Sequence, residues 1–243
     1  MQIRIALEYD GTNYFGWQYQ SGQDSIQGRL ESALERIFAQ PVRVRGAGRT
    51  DAGVHALGQV ASFALPRPFG PAELQRALNA LLPPDIVVLA AEQASDDFDP
   101  RRDARLRVYE YRVLNQPFPS AFEYRYAWLV RGRLDLDAMN EAAGLFVGER
   151  DFAAFRALGS DVKSTVRRVQ LSRWSRDNVC LTYRIEANGF LRHMVRTMVS
   201  TMVEVGRGRL DPGCVTGLIA RRDRGLLPAA APAAGLFLVE VRY

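Results

Sequence analysis

Apolar and polar residues alternate at the start of the chain and then recur at helical spacing. Segment 3–9 has the alternation that is typical of a half-buried strand. From Ser25, which suits a helix N-cap, apolar residues repeat at helical intervals as far as Pro41. Short strand patterns follow at 42–46 and 57–65. These patterns predict a strand, a helix and two further strands.

A second helix and a strand complete this half of the chain. Pro71 suits a first helical turn, and Leu74, Leu78 and Leu81 follow at helical spacing. The apolar run "DIVVLAAE" at 85–92 predicts a strand. The predicted order of elements is therefore β-α-β-β-α-β.

The segment 94–104 has no hydrophobic period and a high density of charge, which is typical of a linker. The order of elements then repeats. Asp135 or Asp137 suits the start of the first helix of this half, and Gly206 suits the end of its longest helix. The predicted elements are a strand at 105–115, a helix at 137–147, strands at 166–174 and 179–187, a helix at 190–205, a short helix after Asp211-Pro212 and a closing strand at 236–243.

Two split β-α-β units in tandem predict an α+β fold made of two ferredoxin-like (βαββαβ) domains with antiparallel sheets. We expect an N-terminal domain at 1–96, a linker at 97–104 and a C-terminal domain at 105–243. Two such sheets side by side would leave a central cleft between the halves. A cleft of this kind is a usual place for a binding or catalytic site.

The composition is that of an ordinary globular protein, with 47% hydrophobic and 24% charged residues. No apolar run approaches the roughly 20 residues of a membrane helix, and the N-terminus lacks the apolar core of a signal peptide. Two cysteines are too few for a disulfide framework, so we expect a reducing, cytoplasmic location. The two histidines and two cysteines form no cluster with metal-ligand spacing, so no transition-metal site is expected.

The net charge of +5 favours a polyanionic partner such as nucleic acid. Lys163 is the only lysine, so arginine supplies nearly all of the positive charge. A genome rich in arginine codons would explain that ratio. It would not explain the excess of positive over negative charge.

The stretch "GAGRTDAGVH" at 46–55 is rich in glycine but does not fit a phosphate-binding loop. A dinucleotide fingerprint needs a glycine where this chain has Asp51, and no Gly-Lys-Ser/Thr ending follows. A loop aspartate is most often a turn residue. Here predicted strands hold both ends of the loop, and Arg49 could keep the carboxylate ionised. An ionised, desolvated carboxylate can act as a nucleophile or a base.

The predicted strand at 105–115 interleaves cations with aromatic rings. Alternation puts Arg105, Arg107, Tyr109 and Tyr111 on one face of this strand. Arginines with aromatic side chains can hold unstacked nucleotides, because phosphates attract cations and bases stack on flat partners. The alternative is a solvated strand face whose tyrosines pack against a helix.

The predicted helix at 190–205 carries a stripe of methionine and valine residues that we expect in the core. Arg192 and Arg196 lie one turn apart off this stripe. Either they are surface charges, or Arg196 points across the cleft at Asp51. His193 lies near the helix start and gives no reason to assign it a catalytic role.

With these segments placed, the chain resembles the TruA family of tRNA pseudouridine synthases over essentially its whole length. The stretch at 47–60 matches the family's catalytic signature nearly letter for letter, and the others occur in the family's order. The matching stretches are "YDGTNYFGWQ" at 9–18, "AGRTDAGVHALGQV" at 47–60, "VYEYRVLN" at 108–115, "DFAAFR" at 151–156, "NGFLRHMVR" at 188–196 and "AGLFLVEVRY" at 234–243.

The resemblance implies a role for four residues of this chain. Asp51 would be the catalytic nucleophile and Arg196 its ion-pair partner. Tyr109 would pack on the target uracil, and Arg49 would help extrude the target nucleotide and hold its vacated place. Arg105 and Arg107 join Tyr109 as candidate substrate-binding residues because they share its strand face.

The resemblance also implies the substrate and the assembly. Family members modify uridines of the tRNA anticodon stem-loop, at tRNA positions 38–40, and need no metal or organic cofactor. They act as homodimers with two α/β domains around a basic cleft. One departure is visible: this chain has Phe98-Asp99-Pro100-Arg101 where the family commonly reads Phe-His-Ala-Arg. An acid and a rigid residue there could change how the hinge between the domains meets RNA.

Other interpretations stay open on the residues alone. A nucleoside hydrolase or glycosylase would use Asp51 but let water intercept the sugar, although no paired carboxylate lies near it in sequence. A non-catalytic RNA-binding module would use Asp51 only to shape a turn. A dinucleotide enzyme is disfavoured by Asp51 itself. The sequence also does not separate attack on C1′, attack on C6 of uracil, and removal of a ribose proton.

Overall fold

The computed structural model describes residues 1–157, 159 and 162–243, and within them the backbone forms ten strands and five α-helices. These elements divide between two compact units. The first unit is Met1–Arg105 together with Phe237–Tyr243, and the second is Leu106–Leu236. Both units combine strands with helices, so the fold is α+β, as predicted.

The first unit is built on one sheet with two long helices. Its elements are β1 (Gln2–Tyr9), α1 (Ile26–Phe38), β2 (Arg45–Gly46), β3 (His55–Ala64), α2 (Pro71–Leu81), β4 (Ile86–Ala94) and the closing strand β10 (Leu236–Arg242). β1 pairs antiparallel with both β4 and β3. β3 pairs antiparallel with β2 and, at its first residues, parallel with β10.

The core of this unit follows from the alternation in β1. Every second residue of the strand, from Ile3 to Tyr9, is buried. α1 begins at the predicted cap, where the Ser25 hydroxyl accepts a hydrogen bond from the Gly28 amide. The helix buries Leu30 and Leu34, and each such side chain contributes roughly 2 kcal/mol of hydrophobic free energy.

The second unit has a sheet in the order β5-β9-β8-β7, with every neighbouring pair antiparallel, and β6 lies parallel to β5. Its elements are β5 (Leu106–Leu114), β6 (Trp128–Leu129), α3 (Leu136–Gly144), β7 (Gly148–Asp151), β8 (Val166–Asp177), β9 (Cys180–Ala187), α4 (Met194–Gly206) and α5 (Cys214–Arg221). The short strands β6 and β7 were not predicted, because so few residues show no measurable period.

The helix α4 is more buried than a surface helix. Met194, Met198 and Met202 are fully buried, as the stripe predicted, and the polar residues Thr197 and Thr201 are buried too. The helix begins four residues later than predicted, because His193 takes a left-handed backbone conformation with a φ of 62°. Residues 190–193 therefore lie outside the regular helix.

The closing strand differs from the sequence-based domain boundary. Residues 237–243 lie in the first unit, where Phe237 pairs with His55 and Leu238 with Ala56. The sequence-based prediction placed them in the C-terminal domain, 105–243. The residues predicted as a linker, 97–104, also lie inside the first unit. An apolar alternation shows that a segment pairs with a sheet but not which strand it joins.

The segment between β1 and α1 packs directly against the loop that joins β2 to β3. Gly16 has a φ of +83°, and a Cβ atom there would lie 2.4 Å from the Thr50 carbonyl oxygen. Gly22, in the same segment, has a φ of +76° but nothing within 4 Å of its Cβ position. The two glycines thus share a backbone conformation and differ in how closely other atoms approach.

We expect Gly16→Ala to destabilise the protein by about 1–3 kcal/mol more than Gly22→Ala does. Both changes carry the cost of a left-handed alanine, about 1 kcal/mol, but only the first forces a methyl group into the backbone of residues 50 and 51. Denaturant unfolding of the two variants measures this difference. Equal losses of stability would show that the contact between the two loops does not constrain the fold.

Candidate active site

The residues of the predicted catalytic motif lie in the loop between β2 and β3, residues 47–54, which we term the signature loop. Asp51 is half-buried at its centre. Arg49 is exposed, whereas Thr50 between them is buried. The loop therefore presents a carboxylate and a guanidinium at the surface and anchors itself through the residue that separates them.

Backbone hydrogen bonds hold the signature loop on both sides of Asp51. The Trp17 amide donates to the Thr50 carbonyl at 3.1 Å, and the Gly53 amide donates to the Tyr14 carbonyl at 3.2 Å. Within the loop, the Val54 amide donates to the Asp51 carbonyl at 3.1 Å. The stretch "YDGTNYFGWQ", which sequence reasoning used only as a family marker, supplies the partners of the first two bonds.

Side chains from β1 and β3 hold the same loop from beneath. The Tyr9 and Thr50 hydroxyl oxygens lie 2.8 Å apart and are both buried. The Gln59 amide donates to the Gly48 carbonyl at 2.9 Å and to the Tyr9 hydroxyl at 3.4 Å. Burial raises the pKa of Tyr9 to about 12, although its hydrogen bonds with Thr50 and Gln59 act in the opposite direction. Tyr9 is thus a neutral phenol at ordinary pH.

His55, which received no role from the sequence, joins the end of the signature loop to the segment after β1. Its ring is buried and stacks on Phe237 with ring centroids 4.7 Å apart. Its Nδ1 accepts a hydrogen bond from the Gly11 amide at 3.1 Å and lies 3.1 Å from an Asp10 carboxylate oxygen. This histidine is a structural link between three segments of the first unit.

In the second unit, both tyrosines of β5 are buried rather than solvated. The Tyr109 ring packs edge-to-face on Phe190 with centroids 5.1 Å apart. The Tyr111 hydroxyl donates to the Pro232 carbonyl at 2.8 Å. Burial raises the pKa of Tyr111 well above its usual range, and the charge of Arg196 opposes that rise. The positive charge of Arg196 therefore acts on the Tyr111 hydroxyl.

Arg196 lies in the first turn of α4, where the chain after α5 returns to meet it. Its Nε donates to the Ala231 carbonyl at 2.6 Å, and the Ala231 amide donates to the Arg196 carbonyl at 3.0 Å. Tyr111 binds the next carbonyl, that of Pro232. The anchoring of Arg196 through residues 231 and 232 had no signal in the sequence, because these small and rigid residues show no periodic pattern.

The other two arginines of the predicted strand face differ from each other. Arg105 precedes β5 and is exposed, and its backbone amide donates to the Arg242 carbonyl at 2.8 Å. Arg107 is buried, and its guanidinium donates to the Asn188 carbonyl at 2.9 Å. Because Leu106 and Val108 are buried as well, both faces of this strand are covered at its start.

The departure from the family pattern at 98–101 forms a compact turn. The Asp99 carboxylate accepts hydrogen bonds from the backbone amides of Arg101 and Arg102, each at 2.9 Å. The bond from Arg102 is the main cause that lowers the pKa of Asp99. The Pro100 carbonyl accepts from the Tyr243 hydroxyl at 2.9 Å. Asp99 and Pro100 thus have structural roles inside the first unit.

The part of the chain that the structure describes has neither a cluster of metal-ligating side chains nor a membrane-spanning helix. Residues 1–157, 159 and 162–243 contain no group of three or more histidine, cysteine, aspartate or glutamate side chains that could hold a metal ion. In the same part of the chain, no helix is long and apolar enough to span a bilayer.

Known proteins match this chain along its whole length. A family model described as tRNA pseudouridine synthase matches residues 5–101 and 142–243. The tRNA pseudouridine synthase A of Geobacter sulfurreducens is 47% identical over 243 residues, which cover 99% of this chain and 99% of that protein. The protein of the same name from Chlorobaculum tepidum is 45% identical, with 99% and 97% covered, and that from Geotalea uraniireducens is 43% identical, with 100% and 99% covered. Because these matches run from end to end and agree with the motifs at the signature loop, the chain belongs to the family of tRNA pseudouridine synthases.

Proposed function

We propose that this pseudouridine synthase isomerises uridine in the anticodon stem-loop of tRNA and that the Asp51 carboxylate starts the reaction. The class of enzyme, an isomerase, follows from the family. The observation that carries the assignment to Asp51 is the set of bonds around it: backbone bonds to Thr50, Asp51 and Gly53 fix the loop on both sides of this side chain. A carboxylate held in this way is suited to meet one atom of a bound nucleotide.

The proposed reaction is an isomerisation whose atoms balance without a second substrate. The bond between C1′ of ribose and N1 of uracil breaks, the ring turns, and a bond forms between C1′ and C5. The C5 hydrogen leaves and N1 gains a proton, so the product has the atoms of the substrate. Asp51 attacks C1′, attacks C6, or removes a ribose proton. Each of these routes begins with an ionised carboxylate.

We propose that Arg196 is the cation that keeps Asp51 ionised. Its hydrogen bond from Nε to Ala231 fixes the plane of the guanidinium, which supports a directed ion pair. Arg49 is exposed two residues before Asp51, which suits a residue that enters the space left by an extruded nucleotide. If an Arg196→Met variant turns over at the wild-type rate at neutral pH, Arg196 is not the cation that keeps Asp51 ionised.

Tyr109, Arg105 and Arg107 are the proposed substrate-binding residues. The Tyr109 ring, supported from the side by Phe190, would stack on the uracil so that the freed base does not leave. Arg105 is exposed and suits a phosphate contact. Arg107 would act through the Asn188 carbonyl that it binds, at the turn that precedes α4.

We propose that both units are ferredoxin-like variants around a basic cleft, and that the enzyme is a cytoplasmic homodimer. The antiparallel pairing of β1 with β4 and β3, and of β3 with β2, supports the first point for the N-terminal unit. Phe118 and Phe122, exposed to 76% and 86%, support an interface near the segment between β5 and β6. A crystal structure would test the architecture, and sedimentation would test the dimer.

We expect Asp51→Asn to lower the rate of pseudouridine formation by about 10⁴-fold or more, because the amide neither attacks nor accepts a proton. Affinity for tRNA should stay within about threefold, since most of it comes from phosphate contacts. Single-turnover assays and filter binding measure the two quantities. The exposed Asp96, changed to Asn, is the matched control and should retain full activity. Turnover by Asp51→Asn would exclude Asp51 as the catalytic group, and release of free uracil by the wild-type enzyme would favour a glycosylase.

Tyr109→Phe should keep tRNA binding and most activity, whereas Tyr109→Leu should lower the single-turnover rate by about tenfold to a hundredfold. The reason is that stacking of a base on an aromatic ring contributes about 1–3 kcal/mol, and leucine offers no flat face. Thermal unfolding of both variants controls for the packing of Tyr109 on Phe190. If the leucine variant turns over as fast as the phenylalanine variant, stacking on Tyr109 has no part in the reaction.

A further inference from the structure

We propose that the chain of buried hydrogen bonds from Gln59 through Tyr9 to Thr50 is a positioning device for Asp51. It would set the rate of the chemical step and have little effect on tRNA affinity. This inference rests on the proposed function of Asp51. We term these three side chains the loop anchor.

The loop anchor is shielded from water. Gln59 is fully buried, Tyr9 is 4% exposed and Thr50 is 6% exposed. The Tyr9 hydroxyl oxygen lies 2.8 Å from the Thr50 hydroxyl oxygen and 3.4 Å from the Gln59 amide nitrogen. Buried bonds of this kind are costly to break, because no water replaces the lost partner.

The direction of the bonds from Gln59 follows from its amide group. An amide nitrogen only donates, so the Tyr9 oxygen accepts from Gln59, whereas either hydroxyl can be the donor in the bond between Tyr9 and Thr50. The same Gln59 amide donates to the Gly48 carbonyl. Burial raises the pKa of Tyr9, so its phenol stays protonated and the bond with Thr50 joins two neutral hydroxyl groups. The anchor therefore holds the signature loop at residue 48 and at residue 50.

Thr50 is the point where the anchor meets the catalytic residue. Its hydroxyl is held by Tyr9 from β1, and its carbonyl accepts from the Trp17 amide. Thr50 is thus held by two bonds from different segments, one to its side chain and one to the carbonyl that it shares with the peptide to Asp51. A displacement of about 1 Å at a reacting group can lower a rate by roughly a hundredfold, so loss of one bond should show in catalysis.

The second unit offers a matched pair for comparison. The Tyr183 and Ser172 hydroxyl oxygens also lie 2.8 Å apart, and both residues are buried. Burial raises the pKa of Tyr183 as it does that of Tyr9. This pair joins β9 to β8. Tyr183→Phe therefore removes the same kind of bond without changing the loop anchor.

A double-mutant cycle on the anchor tests the inference. The variants are Tyr9→Phe, Thr50→Val and the two together, with Thr50→Ser as the conservative change. We expect each single change to lower the single-turnover rate at saturating tRNA by about tenfold to a hundredfold, with the tRNA dissociation constant within about threefold. The double variant should lose no more than about twofold beyond the worse single variant, because both ends of one bond are gone. Thr50→Ser should retain most of the rate.

The controls separate a positioning role from a general loss of stability. Tyr183→Phe should lower the unfolding temperature about as much as Tyr9→Phe and leave the rate unchanged. If Tyr9→Phe turns over at the wild-type rate, or if Tyr183→Phe slows the reaction equally, the anchor does not position Asp51. If wild-type enzyme forms no pseudouridine at all, the proposed function itself fails, and this inference fails with it.

Discussion

The structure of the first unit depends on one constraint: the loop between β2 and β3 has to be held in one place although it has no regular secondary structure. The signature loop meets it with backbone bonds from the segment after β1 and with side chains from β1 and β3. Gly16 brings that segment close enough to the backbone of Thr50 for the Trp17 amide to reach its carbonyl. The backbone position of Asp51 is thus fixed by bonds to its neighbours in the loop.

In the second unit, Arg196 is held by a segment without regular structure, in a way similar to that of the signature loop. The guanidinium of Arg196 is oriented by the Ala231 carbonyl, and Tyr111 binds the carbonyl of the adjacent Pro232. A segment without regular structure is thereby tied to α4 and to β5. In both units, a residue to which we assign a role as a proposal is held by a segment from a distant part of the sequence.

The sequence predicted those features that depend on local pattern. The buried face of β1, the cap at Ser25 and the methionine stripe of α4 follow from spacing and side-chain type. Asp51 stood out because its charge does not suit a phosphate-binding loop. The strand that β10 joins and the start of α4 at Met194 were not predictable. Pairing partners are long-range, and the left-handed turn at His193 leaves no mark in the hydrophobic pattern.

The buried hydroxyl groups of Tyr9 and Thr50 show the same limit of prediction from sequence. Tyr9 alternates correctly for a core residue, but nothing in its spacing indicates that its hydroxyl meets Thr50. Contacts between polar groups far apart in sequence need the folded chain before they can be seen.

The most direct test of the central claim is chemical: incubate the protein with unmodified tRNA transcripts and map pseudouridine by position-specific labelling. The account predicts modified uridines in the anticodon stem-loop and no free uracil, whereas bound but unmodified tRNA, or uracil released into solution, would contradict it.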